Sequence, residues 1–174
     1  WALLPPVATA AVWIILNQNN IISVNHTGGN YALFVITGIM LWSVFTNAVL
    51  TPLQTMQANT GILVKINFPR EALVILSFYE VLFNTAVALI IIFAEVIYFK
   101  VPVTFHSLLF FPALFLLIIM GLSLGILMVP VSVLYKDIQF LLPTVLQFAM
   151  YVTPVVYAQT TFSGAAKIFA INPV

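Results

Sequence analysis

The sequence predicts an all-α integral membrane protein, and three observations carry that prediction. Of the 174 residues, 63% are hydrophobic and 5% are charged. A soluble domain carries about 25% charged residues and could not cover its water-facing surface with so few. The apolar residues fall in blocks of the length a membrane helix needs, about 20 residues. Short polar breaks separate the blocks. The break from Gln57 to Ala72 (QANTGILVKINFPREA) gathers Lys65, Arg70 and Glu71 within one stretch.

Other compositional features narrow the class. A net charge of +1 without any basic tract offers nothing to nucleic acid. The absence of cysteine removes disulfides and thiolate metal sites. His26 and His106 are far apart, so each suits a membrane interface better than a shared metal. No basic stretch at the start marks a signal peptide. Residues 1–174 are expected to be one membrane domain whose ends both look cut, a fragment of a longer protein.

The first span, about 1–16, is short for a crossing, and Pro5 and Pro6 should kink it or mark where it begins. Asn17 to Asn30 (NQNNIISVNHTGGN) reads as a loop. Its Asn25-His26-Thr27 sequon matters only in a eukaryotic secretory setting. The second span, 31–53, has Tyr31 as an interfacial anchor, and Ser43, Asn47 and Gln54 give it a polar edge. In the island that follows, Asn59 and Thr60 offer capping groups for a short helix. Gly61 to Ile66 is mostly apolar, and Pro69 suits the first turn of the next helix. The island reads as a short surface helix, with a solvated loop as the equal alternative.

The third span, 73–99, is long enough to cross with tilt. Ser77, Glu80 and Asn84 share a face at i, i+3 and i+7, and Glu80 is the most buried-looking charge. It either lies on a pathway or in a helix–helix lock, or it sits near the headgroups within reach of Arg70 or Lys65. The second reading is preferred. After a turn at Lys100 to Ser107, the fourth span, 108–134, holds Gly121-Leu-Ser-Leu-Gly125. This small-residue pattern lets helices approach closely, and Pro130 should bend the last turns. Tyr135-Lys136-Asp137 is a very short break. The fifth span, 139–157, is punctuated by Pro143 and Pro154, and Gln147 and Tyr151 share a face. Residues 158–172, with Thr160, Thr161, Ser163, Gly164 and Lys167, suit a short helix in the outer interface.

Alternation sets orientation. With 57–72 and 135–138 cytoplasmic, Lys65, Arg70 and Lys136 lie inside against Lys100 and Lys167 outside, which weakly favours this arrangement.

Several segments, in order, resemble the ABC-2 type permeases that export O-antigen, teichoic acid and capsule. Trp1-Ala-Leu-Leu-Pro-Pro6 looks like that family's first span, and Gly38 to Trp42 like part of its second. Asn59 with Leu63-Val-Lys65-Ile-Asn-Phe68-Pro69-Arg70-Glu71 is similar to its N…L…K…FPRE segment. Tyr135-Lys136-Asp137-Ile138 resembles its inner loop, with Lys136 where arginine is more usual. Leu146-Gln147-Phe148 through Tyr151-Val-Thr-Pro154-Val-Val-Tyr157 looks like its LQ…Y.TPV.Y segment, and Asn172-Pro173 like the pair before its last span. The resemblance covers essentially the whole chain.

It implies a type V exporter-like transmembrane domain with about five of six spans present, the N-terminal elbow helix and last span missing. It implies a bacterial inner-membrane homodimer on two nucleotide-binding ATPase subunits, moving a lipid-linked polysaccharide or polyol phosphate. Residues 57–72 would hold the coupling helix and 158–172 the outer gate. Leu63, Lys65, Phe68, Arg70, Glu71, Lys136 and Asp137 would meet or support the ATPase.

The chain has no P-loop, nucleophilic triad or paired carboxylates. ATP and Mg are therefore expected on the partner, with no cofactor or metal bound by this chain and no catalytic residue in it. Aromatic rings can slide along the C–H faces of sugars, so Trp42, Phe45, Tyr79, Tyr151 and Tyr157, with Asn47 and Gln147 for hydroxyls, are candidates for a substrate path. Lipid-facing aromatics are the plainer reading of the same residues. Two other functions compete: a secondary transporter or channel, and a membrane-embedded enzyme acting on lipid-linked sugars through Glu80.

Overall fold

A computed structural model describes residues 4–19, 31–61, 70–101, 105–153 and 155. Among the described residues there are helices and turns and no strand. The helices are α1 (Leu4–Gln18), α2 (Tyr31–Ala58), α3 (Arg70–Tyr98), α4 (Phe110–Leu134) and α5 (Ile138–Val152), with a 3-10 turn at Phe105–Leu109 before α4.

Three helical stretches, Tyr31–Ala58, Glu71–Tyr98 and Ser107–Leu134, have 28 residues each and mean hydropathies of 2.0, 2.2 and 2.7. At 1.5 Å per residue each is about 42 Å long, more than the ~30 Å hydrocarbon core. Each can cross with tilt or with its ends in the headgroups. The chain is a multi-pass membrane protein. The helices α1 and α5, with 15 residues each, are shorter than a crossing.

Proline sets several boundaries. Pro5 and Pro6 lie in the first turn of α1, where a missing N–H costs nothing. Pro154 ends α5, because the residue before a proline avoids helical geometry; Thr153 is extended, with φ −80° and ψ 137°. This helix therefore stops at Val152; the expected end of the span at 157 lies outside the described residues. Conversely, α2 runs five residues past Leu53, since its polar tail holds Gln, Met and Ala, all good helix formers.

The hub of the fold is α2, against which every other helix packs, whereas α3 and α4 barely meet. Buried α2 residues serve several seams. Val44 and Ala48 meet Val81 and Ala88 of α3 and Leu114, Ile118 and Leu122 of α4. Phe45 and Val49 meet Leu146 of α5. Tyr31, Val35 and Ile39 meet Ala10 of α1 and Met150 of α5. The pairings fix direction. Thr37 and Thr55 of α2 face Glu95 and Glu80 of α3, which is therefore antiparallel. Gly121 and Gly125 of α4 follow Phe45 and Val49 in the same sense, so α4 is parallel to α2.

The hydroxyls are mostly satisfied locally. Ser77, Thr85 and Thr144 each donate to the carbonyl four residues back, at 2.8, 2.8 and 3.0 Å. Such bonds let a polar residue lie in an apolar span.

Candidate functional site

The antiparallel α2–α3 pair and the parallel α4 bring two polar breaks to one end of the bundle. Arg70 opens α3, and Glu71 lies exposed in its first turn, where the helix dipole favours a negative charge. Lys136 and Asp137 are exposed in the turn after α4. Lys100 lies at the opposite end, after α3. Leu63, Lys65 and Phe68 lie outside the described residues, as do Tyr157 and 158–172. The side chains of Asn59 and Thr60 donate backwards to α2, to the Thr55 carbonyl at 2.8 Å and the Met56 carbonyl at 3.1 Å; the segment they are expected to cap lies outside the described residues.

The described aromatic and amide candidates are not gathered into one cluster. Phe45 is buried in the seam with α5, and its ring lies 5.5 Å from that of half-buried Trp42. Asn47 is half-buried on α2. Tyr79 looks outward from α3, 65% exposed, beside Phe78. Gln147 and Tyr151 are exposed on α5, on the side away from Leu146 and Met150, which pack on α2.

Gly121 and Gly125 are where α4 touches α2. A Cβ at Gly121 would lie 2.6 Å from the Ala48 Cβ, and one at Gly125 would lie 2.5 Å from the Val49 carbonyl oxygen. Contact this close requires the absence of side chains.

The buried charge is not Glu80. That residue is exposed, and one of its oxygens accepts a long 3.4 Å bond from Thr55. Glu95 is the buried acid, 7% exposed. Its Oε2 accepts from the Thr37 hydroxyl at 3.2 Å, and its Oε1 has no hydrogen-bond partner among the described residues. The packed stripe of α3 runs through Leu73, Ser77, Val81, Thr85, Ala88, Ile92 and Glu95. At 3.6 residues per turn, Glu95 falls about 20° from the centre of that stripe and Glu80 about 80° away. The signal in the sequence is that Ser77, Thr85 and Ala88, the small and hydroxyl residues of this stripe, share one helix face with Glu95, and such residues are enriched at helix–helix faces in a membrane.

The Thr37–Glu95 bond lies between two apolar cavities. One, of about 540 Å³, is walled by α1, α2 and α3 and includes Glu95. The other, of about 740 Å³, is walled by α2, α3, the 3-10 turn and α4 and includes Thr37. No His, Asp and Glu grouping suited to a metal occurs among the described residues.

No protein-family model matches the chain. It is 23% identical over 177 aligned positions to the O-antigen export system permease protein RfbA of Myxococcus xanthus. The alignment takes in 99% of this chain and 66% of that protein, so the chain spans just under two thirds of that relative's length.

Proposed function

We propose that this chain is part of the membrane permease subunit of an ATP-driven exporter that moves a lipid-linked polysaccharide or polyol phosphate across a bacterial inner membrane. The observation that carries the reading is the similarity to an O-antigen export permease over 99% of this chain. A second support is topological: residues 70–71 and 136–137 share one end of the bundle, where a single cytoplasmic partner could touch both. The energy enters from two ATPase subunits, which hold ATP and Mg, and a second permease copy completes the path. The chain itself performs no bond chemistry.

In this reading 57–72 carries the coupling helix. A short helix seated in a moving subunit passes motion on because packed interfaces switch between discrete arrangements. Leu63, Lys65 and Phe68 make the seat, and Arg70 and Glu71 tie it to the first turn of α3. The test is reconstitution of the full-length permease with its co-purifying ATPase. Phe68→Ala and Arg70→Ala should insert normally and lose transport. Removing one anchor of an interface costs about 1–2 kcal/mol, roughly tenfold in docking affinity. Normal transport in both variants, or transport by the permease without any ATPase, overturns the reading.

A further inference from the structure

Two polar features of the spans play no part in the permease reading: Ser43, Asn47 and Gln54 on α2, and Glu80 and Asn84 on α3. At 3.6 residues per turn the first three lie within about 40° of one another. Their centre is about 100° from Thr37 and Thr55, which face α3, and opposite Phe45, which packs towards α5. It coincides with the bearing of Ile36, which walls the cleft beside α1. On α3, Asn84 and Glu80 lie about 40° and 80° from the centre of the packed stripe, on the side of Ile91, which walls the same cleft. The two sets therefore border one groove between α2 and α3, apolar towards the Lys100 end and polar towards the Arg70 end. Ser43, Asn47 and Asn84 are half-buried, and Gln54 and Glu80 are exposed. Apart from the 3.4 Å contact of Glu80 with Thr55, their side chains make no hydrogen bond among the described residues. Gln54, Asn47 and Ser43 stand about 6, 16 and 22 Å along the axis from Ala58, so the strip reaches the middle of a ~30 Å hydrocarbon layer. Acyl chains offer such groups no partner, and a charged residue in a span faces protein or a water-filled cavity.

We propose that this strip lines a water-filled recess, entered from the end that bears Arg70 and Glu71 and closed near Ser43, half-way across the membrane. Water is the occupant that serves a carboxylate, amides and a hydroxyl together, since each molecule both donates and accepts. A second copy of this chain does not fit there. Its cations, Lys65, Arg70, Lys100, Lys136 and Lys167, all lie outside the three long spans, so a copy packed on the strip would cover Glu80 without pairing it. Past Ser43 the same side of α2 continues with Ile36 and Ala32, which face Val7 and Ala10 of α1 across an apolar cleft. That apolar stretch ends the recess and leaves only the half of the span nearer Lys100 as a hydrocarbon barrier. The recess stands apart from the ATPase-docking reading, because its test reads water access and not transport.

The test uses the full-length protein, free of other cysteines, in spheroplasts and in inverted membrane vesicles. The probe is trimethylammonioethyl methanethiosulfonate, a membrane-impermeant thiol reagent whose cation Glu80 does not repel. Ser43→Cys, Asn47→Cys and Asn84→Cys are compared with Phe83→Cys and Ile90→Cys, which replace exposed apolar residues of α3. A thiol reacts as the thiolate, which forms in water and not among acyl chains, so the three strip variants should react at least about tenfold faster than the two controls. They should do so from the side that labels Lys136→Cys, and Ile36→Cys should be as slow as the controls. Ser43→Cys exchanges a single oxygen for sulfur, so its result does not hang on a disturbed fold. A rate at Ser43→Cys or Asn47→Cys no faster than the controls overturns the proposal, whether acyl chains or a protein neighbour covers the strip. Labelling from the side that reaches Lys100→Cys overturns it as well, and so does Ile36→Cys reacting as fast as Asn47→Cys.

Discussion

Gly125 shows how little room the central seam leaves. Any side chain there meets the backbone of α2 at the Val49 and Ala48 carbonyls and the ring of Pro52, at 2.5, 3.1 and 3.1 Å. Backbone cannot rotate out of the way, so the helices must part. Gly125→Ala should therefore destabilise the bundle by about 1–3 kcal/mol, the usual cost of overpacking. A Cβ added at Gly61 would meet nothing within 4 Å, so Gly61→Ala should be neutral or slightly stabilising. Unfolding in mixed micelles separates the two, and equal effects would refute the close-contact argument. The threonines make a second contrast. Thr37→Val strips the sole described donor from buried Glu95, at a cost of about 1–3 kcal/mol. Thr55→Val removes a 3.4 Å bond to an exposed carboxylate and should change stability by less than about 0.5 kcal/mol. If the Thr55 variant proved the weaker protein, the assignment of Glu95 as the buried acid would fail.

At the scale of elements, the end of α3 carries a residue that its geometry does not favour. The Val101 N–H bonds the Val96 carbonyl at 3.1 Å and the Lys100 N–H the Ile97 carbonyl at 3.2 Å, the paired pattern that ends a helix with a left-handed residue. Lys100 takes that place with φ 50°, where glycine is usual and any Cβ costs about 1–2 kcal/mol. Lys100→Gly should raise the melting temperature, and Lys100→Val should lower it. A rise with valine would exclude backbone strain as the cause. Three of the expected spans coincide with helices long and apolar enough to cross a membrane, and hydropathy is what made them legible. Their ends were less so, since helix and hydrocarbon need not stop together: α2 continues through Gln54 and Gln57 to Ala58. The expectation that Glu80 is the most buried acid failed for a related reason. Apolar residues surround α3 on all sides, so hydrophobicity could not mark its packed face. Only Ser77, Thr85 and Ala88 did so, and they point to Glu95. The separation of outward-facing Tyr79 from the Trp42–Phe45 pair was beyond sequence reasoning, because it depends on which helices share α2 as a neighbour.

For the whole molecule, the hub arrangement makes a claim about sides of the membrane that needs no family knowledge. Helix α3 returns along α2 and α4 runs with it, so each polar break is assigned to one end. The ends after α2 and after α4 coincide, and the end after α3 is opposite. Glu71 and Lys136 must therefore meet the same aqueous phase, and Lys100 the other. All three are exposed, and the chain contains no cysteine. Single replacements Glu71→Cys, Lys136→Cys and Lys100→Cys consequently give clean reporters without a background to remove. A membrane-impermeant maleimide added to spheroplasts should label the Lys100 variant at once. The other two should react only after the membrane is opened, if the proposed cytoplasmic placement of 57–72 holds. The two parts of this outcome test different things. Labelling of 71 and 136 from opposite sides would break the fold, because no tilt of α2 moves one end of a parallel pair across the bilayer. Labelling of 71 and 136 together from the outside would leave the fold intact and remove the ATPase-docking role, since a motor fuelled by cytoplasmic ATP could not reach them.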